Sequence, residues 1–348
     1  MSTTDASHQE ELKALKALYD KVGLRGYWDI SRTASRPAPI EPKLWRWSDI
    51  YPALQRASQV VRLGEDTFRR ANALDSDSRT ILAGFQYVGP RESAGAHRHV
   101  ASALRFVVQG HGGYTTSDGV QMVMEPGDLL TQPNWTWHDH NNFSNEPMIW
   151  LDGLDAKLVQ YLDANFHENW AEDATQPLIR SSEETQQRLT AVRSPSFKPP
   201  GRRMPYRYKW VDTLRSLEAE VTTGNADPYD GYMLEYTDPL SGGHTFVTMS
   251  CRIQMLLPGQ ETKFHRHTST TIYHGYRGKA CCGSTRQTRW SWRGGRRTRS
   301  YCRRGGGIST LILHGRRGRS CFRSRTCRCS KRSTCTGRWE TKKSRRRW

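Results

Sequence analysis

The tripeptide His-Arg-His occurs twice, at 97–99 and at 265–267, and a proline stands seven residues before each copy, Pro90 and Pro258. Downstream, Ser102 matches Thr270 and Leu104 matches Ile272, so one offset, 265 − 97 = 168 residues, relates the copies. That offset is the length of a domain, far above the roughly 20–50 residues of a solenoid repeat. The 348 residues therefore read as a tandem pair of related domains. From about Thr80 the texture is one of short apolar runs bounded by Gly, Pro, Asn and Asp: ILAGFQYV, ALRFVVQG, GGYTT, VQMVM, GDLLTQP, MIWLDGL. Runs this short at such regular spacing predict an all-β barrel or sandwich. After an irregular stretch, SPSFKPPGRRMP (194–205), strand-like runs return as GYMLEY, HTFVTMS and RIQMLLPG.

Ahead of the first β-domain, Leu12, Leu15, Leu18 and Tyr19 recur at three- and four-residue steps and predict a short amphipathic helix, an N-terminal packing arm. Prolines at 37, 39 and 42 predict an extended connection after it. The expected layout is an arm and connection at 1–79, a first barrel at 80–193, a linker at 194–209, part of a second barrel at 210–275 and a tail at 276–348.

Composition matters because it is so unevenly spread. The formal charge is 53 − 34 = +19, yet Tyr276 to Trp348 holds 20 Arg, 4 Lys and one acid, Glu340, a local +23 that leaves 29 − 33 = −4 for everything before it. Seven of the eight cysteines lie in the same tail, with only Cys251 outside. The body is thus mildly acidic and nearly free of cysteine, which points to a cytoplasmic rather than a secreted protein. MSTTDASHQEELKALKALYD is polar where a signal peptide needs its apolar stretch, and no run approaches the roughly 18 apolar residues of a membrane helix.

On a strand, residues i and i+2 face the same way, so His97 and His99 project together. Further on comes Pro133-Asn134-Trp135-Thr136-Trp137-His138-Asp139-His140. Two imidazoles from one strand and a third from a distant one make a metal site facing a barrel lumen; the competing reading of an isolated His-x-His is a pair of surface or core histidines. Arg105, six residues after His99, shares strand parity with the ligands, and a buried guanidinium there would need an anion. The bland alternative is a surface arginine beside Phe106. His140 shares the face of His138, for proton removal or for a purely structural role. Trp135 and Trp137 read as lining and core, Arg69 and Arg70 as a solvated charge pair.

GPRESAGAHRHVASALRFV followed by EPGDLLTQPNWTWHDHNN resembles the two cupin motifs. Where the common cupin pattern has a Glu, four residues after the second His, this chain has Ala103. A three-His site of that kind, with KLWRW (43–47), HRHxxxALRF, PxWTWHDH and WLDGLD (150–155), is similar to the gentisate 1,2-dioxygenase family, which includes salicylate and 1-hydroxy-2-naphthoate ring-cleaving enzymes. The resemblance spans roughly residues 10–275 and implies a bicupin with Fe(2+) on His97, His99 and His138. It further implies ring opening of an ortho-hydroxy aromatic carboxylate by O2, between the carboxylate- and hydroxyl-bearing carbons, as in aromatic hydrocarbon catabolism. Gln86 matches a substrate-contacting glutamine of the family, and members are commonly homo-oligomers. No GxGxxG or P-loop suggests a second cofactor. Within the family, GYWDI (26–30) and RLGEDT (62–67) look more like the naphthoate-cleaving branch, and Leu162 to His167 offers no certain equivalent of a gentisate-specific carboxylate, with Asp163 facing either way. The expected substrate is 1-hydroxy-2-naphthoate, with gentisate and salicylate as alternatives. A non-oxygenase cupin, such as an isomerase or decarboxylase, is the rival of another class.

The resemblance stops just after His274. GKACCGSTRQTRWSWRGGRRTRSYCRRGGG has neither strand alternation nor acidic partners for its arginines. One reading is a basic arm that binds nucleic acid; the other is a shifted reading frame in a GC-rich gene. Joining the third base of each codon to the first two of the next, from Arg297 to Thr310, permits D-x-x-x-x-P-x-W-x-W-H-Q-H, the pattern of Asp128 to His140. We therefore expect a frame disruption, a truncated second barrel, and a Cys327-Arg328-Cys329 cluster that is no zinc site.

Overall fold

The structure, a computed structural model, describes residues 3–24, 43–170, 174–189, 196, 201, 203–267, 269–283, 289–293, 308–315 and 320–326, with the strands after 278 as backbone only. GYWDI (26–30), the proline-rich connection, most of 194–205 and the Cys327–Cys329 cluster lie outside the described residues. The chain divides into two units, Met1–Pro39 and Ile40–Trp348. In the first, a helix spans Thr3–Val22; Leu15 and Tyr19 are half-buried on it, whereas Leu12 and Leu18 are exposed. Among the described residues no helix is long and apolar enough to cross a membrane.

The larger unit is a bicupin. Its first barrel is built from β1 (Ala71–Ala73), β2 (Leu82–Val88), β3 (Ser93–His99), β4 (Ala103–Gln109), β5 (Gly113–Ser117), β6 (Val120–Met124), β7 (Leu129–Gln132), β8 (His138–Asn141), β9 (Met148–Leu154), β10 (His167–Asn169), β11 (Arg180–Ser181) and β12 (Tyr206–Tyr208). They form two six-stranded sheets, in the orders β1-β2-β9-β4-β7-β12 and β10-β3-β8-β5-β6-β11.

The alternation of side chains along β2, β4 and β9 decides what this barrel contains. Phe85 on β2, Leu104 and Phe106 on β4, and Ile149 and Leu151 on β9 belong to one apolar cluster that continues into the second barrel through Tyr232, Met249, Cys251, Ile253 and Ile272. Val88, Val107, Met148 and Trp150, of opposite parity on the same strands, fill a separate cluster with Val120, Met122, Met124 and Leu130. Both faces of these strands are therefore buried. The first set makes the seam between the barrels, and the second set, with Gln86, Arg105 and Asp152, faces the lumen.

Before β7, Gly127 adopts φ +94°, and a Cβ there would stand 2.7 Å from the Trp210 ring. The close approach lets buried Asp128 accept from the Trp210 amide at 2.8 Å and from Arg207 Nε at 2.7 Å. This fastens the helix Trp210–Thr223 to the barrel.

The second barrel uses β13 (Tyr232–Tyr236), β14 (Met249–Leu256), β15 (His265–His267), β16 (Thr270–Arg277), β17 (Lys279–Gly283), β18 (Arg289–Arg293), β19 (Ile308–Gly315) and β20 (Ser320–Thr326). Among the described residues it is the smaller one, with two four-stranded sheets, β13-β14-β19-β16 and β15-β20-β17-β18. The repeat read from the histidine triplets is visible here: β2, β3 and β4 recur as β14, β15 and β16. The place of β9, between β2 and β4, is taken by β19, at 308 − 148 = 160 rather than 168 residues. Four strands come from beyond Tyr276, more than the composition of that stretch predicts. HTFVTMS does not form its own strand. Phe246 N donates to Met249 O at 3.0 Å and closes a tight turn, so the extended chain begins only at Met249.

Candidate active site

His97 and His99 end β3, and β8 places His138 directly opposite His97 in the antiparallel register. The ring centroids lie 4.1 Å apart for His97 and His138, 4.9 Å for His99 and His138 and 5.2 Å for His97 and His99. One nitrogen from each ring falls within 4.8 Å of the others. The Nδ1 of His99 contacts the Ala101 carbonyl at 2.6 Å and that of His138 the Thr136 carbonyl at 3.1 Å. A carbonyl only accepts, so both rings carry Nδ1–H and leave the Nε2 lone pair for a metal. His138 Nε2 is buried with no hydrogen-bond partner, an orphan that a metal ion would satisfy. Burial, then repulsion from neighbouring positive groups, lowers the pKa of all three, His99 to about 4. The three imidazoles are thus neutral near pH 7, the form that binds metal. Donor number, spacing and protonation fit a metal ion, and so do the tautomers of His99 and His138.

The lumen face of the neighbouring sheet supplies the polar lining. Arg105 is 3 % exposed and contacts Asp152 Oδ1 through Nε at 3.2 Å, while its Nη1 donates to Gln132 Oε1 at 3.2 Å. The anion that buried Arg105 requires is therefore already present in the protein. Asp152 Oδ2 in turn accepts from Trp150 Nε1 at 3.1 Å, and Trp150 lies 4.7 Å from the His140 ring. Both nitrogens of fully buried His140 lack a partner, as does Gln86 Nε2. Register explains the convergence of these residues, since Gln86 pairs with Trp150 and Arg105 with Asp152 across β9.

Arg69 and Arg70 correct the expectation of a solvated pair. Arg70 is buried, ion-paired with Glu92 and bonded to the Ser58 carbonyl at 2.9 Å. Arg69 Nη2 contacts His97 Nδ1 and donates to the carbonyls of Gly95 at 3.0 Å and His138 at 3.2 Å. Burial and repulsion from Arg105 lower its pKa to about 9. Strand parity could not reveal Arg69 because it precedes β1 and reaches the ligands only through the tertiary fold.

Asp139, between the two lumen histidines, points the opposite way and accepts from the Gln176 amide at 2.7 Å and Gln176 Nε2 at 3.1 Å. Trp135 and Trp137 sandwich Arg98 at 4.4 and 4.5 Å, and Arg98 pairs with Glu168 on β10. Both indoles are half-buried and so are not core residues. Asp163 is exposed, with φ +55°. His167, by contrast, brings its ring to 5.2 Å from His97.

Residues 84–153 match the cupin domain family. A 1-hydroxy-2-naphthoate 1,2-dioxygenase of Nocardioides sp. (strain KP7) is 36 % identical over 78 % of this chain and 74 % of its own length. A gentisate 1,2-dioxygenase of Streptomyces sp. is 34 % identical over 80 % of this chain and 84 % of its own. The crystal structure of salicylate 1,2-dioxygenase from Pseudoaminobacter salicylatoxidans, in adducts with gentisate, superposes with a TM-score of 0.68 at 27 % identity, covering 90 % of each chain. The chain belongs to the gentisate 1,2-dioxygenase family. As a member of that family it is a ring-cleaving dioxygenase, an oxidoreductase, with a histidine triad able to hold a metal. Membership sets aside an isomerase or decarboxylase on the cupin fold.

Proposed function

We propose that this dioxygenase family member uses Fe(2+) on His97, His99 and His138 to open an ortho-hydroxy aromatic carboxylic acid with O2. The observation that carries the reading is the company of the triad: three neutral imidazoles share one lumen with two guanidiniums, Arg69 and Arg105. Bound there, ferrous iron supplies the redox link between an electron-rich ring and O2. The protein's own groups do the rest. Arg105 and Arg69 attract the carboxylate and fix its orientation, because guanidinium forks match carboxylate geometry. The unpartnered Nε2 of Gln86 donates to an oxygen of the bound acid. His140, neutral by burial and free at both nitrogens, takes the proton from the ring hydroxyl. Both atoms of O2 enter the product, so no second electron donor is required.

Among the candidate acids we favour 1-hydroxy-2-naphthoate, on the likeness of Arg62 to Thr67 and of residues 26–30 to that branch. Gentisate and salicylate carry the same ortho pair of carboxylate and hydroxyl, and relatives named for each of the three acids match this chain. The test is oxygen uptake by the iron-loaded protein with the three acids in parallel. A specificity constant for gentisate tenfold above that for the naphthoate would overturn the preference and leave the mechanism standing. Metal analysis tests the site itself: His99→Ala and His138→Ala are each expected to lose stoichiometric iron, and full retention in both would place the ion elsewhere.

A further inference from the structure

Gln132, the last residue of β7, is 1 % exposed and faces the lumen between two groups of different function. Its Oε1 accepts from Arg105 Nη1 at 3.2 Å and from Ser117 Oγ. Its Nε2 donates to Thr136, both to the hydroxyl and, at 3.4 Å, to the carbonyl. That carbonyl is the one that receives Nδ1–H of His138 at 3.1 Å, and the Thr136 hydroxyl is committed to Pro133 O at 2.7 Å. The amide has a single workable orientation. Turned over, it would set NH2 against a guanidinium, which only donates, and oxygen against a carbonyl, which only accepts.

We propose that Gln132 is a positioning residue that couples the carboxylate anchor to the metal ligand. Through Oε1 it holds the Arg105 fork at one rotation, and through Nε2 it holds the Thr136 carbonyl that sets the tilt of the His138 ring. A shift of either end is transmitted to the other because all these groups are buried and no water is at hand to replace a lost partner. Sequence alone offers only a Gln before a Pro; the role depends on the register that sets Arg105 opposite Leu130 and brings the β4 and β7 side chains to one face. The inference rests on the functional reading above, in which Arg105 meets substrate and His138 meets metal.

Two near-isosteric variants of the full chain separate the ends. Gln132→Met removes both contacts, and we expect release of iron to a colorimetric chelator to quicken about tenfold, the usual scale for the partner of a metal-bound histidine. In the same variant KM for the hydroxy acid rises about tenfold as the anchor loses its orientation. Thr136→Val removes only the hydroxyl contact, so iron release quickens and, through the loosened amide, KM rises more than twofold though less than in Gln132→Met. A merely structural Gln132 would lower the melting temperature and move neither number, and that result overturns the proposal. So does a Thr136→Val variant that quickens iron release while KM stays within twofold of the parent. If Gln132→Met fails to fold, Thr136→Val alone decides, and unchanged iron release refutes the coupling. A parent chain that retains iron and consumes O2 beside two silent variants would sink the coupling alone; a parent that does neither would sink the functional reading with it.

Discussion

Arg105 is buried, Asp152 is mostly so, and the two face each other across β4 and β9, so each neutralises a charge that the other could not leave exposed to an apolar wall. Removing one partner of such a pair strands the other, at about 3–5 kcal/mol, whereas replacing both by apolar groups of similar size is near neutral. We therefore expect Arg105→Met to lower the unfolding free energy by that amount and Arg105→Met/Asp152→Leu to regain most of it. Neither variant should recover oxygen uptake, because the anchor for the substrate carboxylate is gone from both. Urea unfolding beside oxygen uptake checks this, and a double variant that regained turnover would remove Arg105 from the mechanism. At this scale the sequence was legible where chemistry and spacing coincide. The gathering of His97, His99 and His138 follows from two motifs and period-two alternation, and the inward placement of Arg105 from its offset. Asp152, Arg69 and Gln132 were not legible in their roles, since each acquires its partner through the pairing of strands distant in sequence.

Strands β2, β4 and β9 carry two messages, one on each face, and the apolar runs announced the strands without saying which face met which neighbour. The seam face brings Phe106 to 5.6 Å and Phe85 to 6.3 Å from the ring of His274 on β16. A second tie crosses at the edge, where Asp155 accepts from the Ser102 amide at 2.7 Å and from the Thr248 hydroxyl. Burial among these rings lowers the pKa of His274 from 6.5 to about 4. Above pH 6.5 the imidazole is neutral in folded and unfolded chains alike and contributes no pH dependence. Between pH 6.5 and 4 the unfolded chain binds a proton that the folded chain refuses, so stability falls with acidification, by about 1.4 kcal/mol per pH unit at most. In His274→Phe this contribution is absent. Its unfolding free energy should decline less steeply than the parent's from pH 6.5 to 4, and parallel declines in urea titrations would show that the seam does not hold His274 neutral.

For the whole molecule the two-barrel plan was legible because duplication leaves the same short motif at a domain-length offset, and the reduced size of the second barrel is where that legibility ends. The offset of 168 residues holds through β16 and becomes 160 at β19, while the charge changes from −4 over residues 1–275 to 24 − 1 = +23 over the remaining 73. A sheet interior cannot take arginine at that density without acids to pair it, and Glu340 is the only one. A basic arm would explain the charge but not why a Pro-x-Trp-x-Trp-His-Gln-His string can be read one base out of phase at the place where the duplicate of Pro133 to His140 belongs. A shift of frame explains both, since GC-rich codons read out of phase yield Arg, Gly, Cys and Trp. We expect the nucleotide sequence across codons 270–310 to differ from an uninterrupted second cupin by one missing or extra base. Restoring the phase should remove most of the excess charge and return apolar alternation to the strands after β16. If no single-base change restores an apolar reading, and the unaltered chain binds DNA with an affinity that falls steeply with salt while residues 1–275 do not, then the tail is a true nucleic-acid-binding arm.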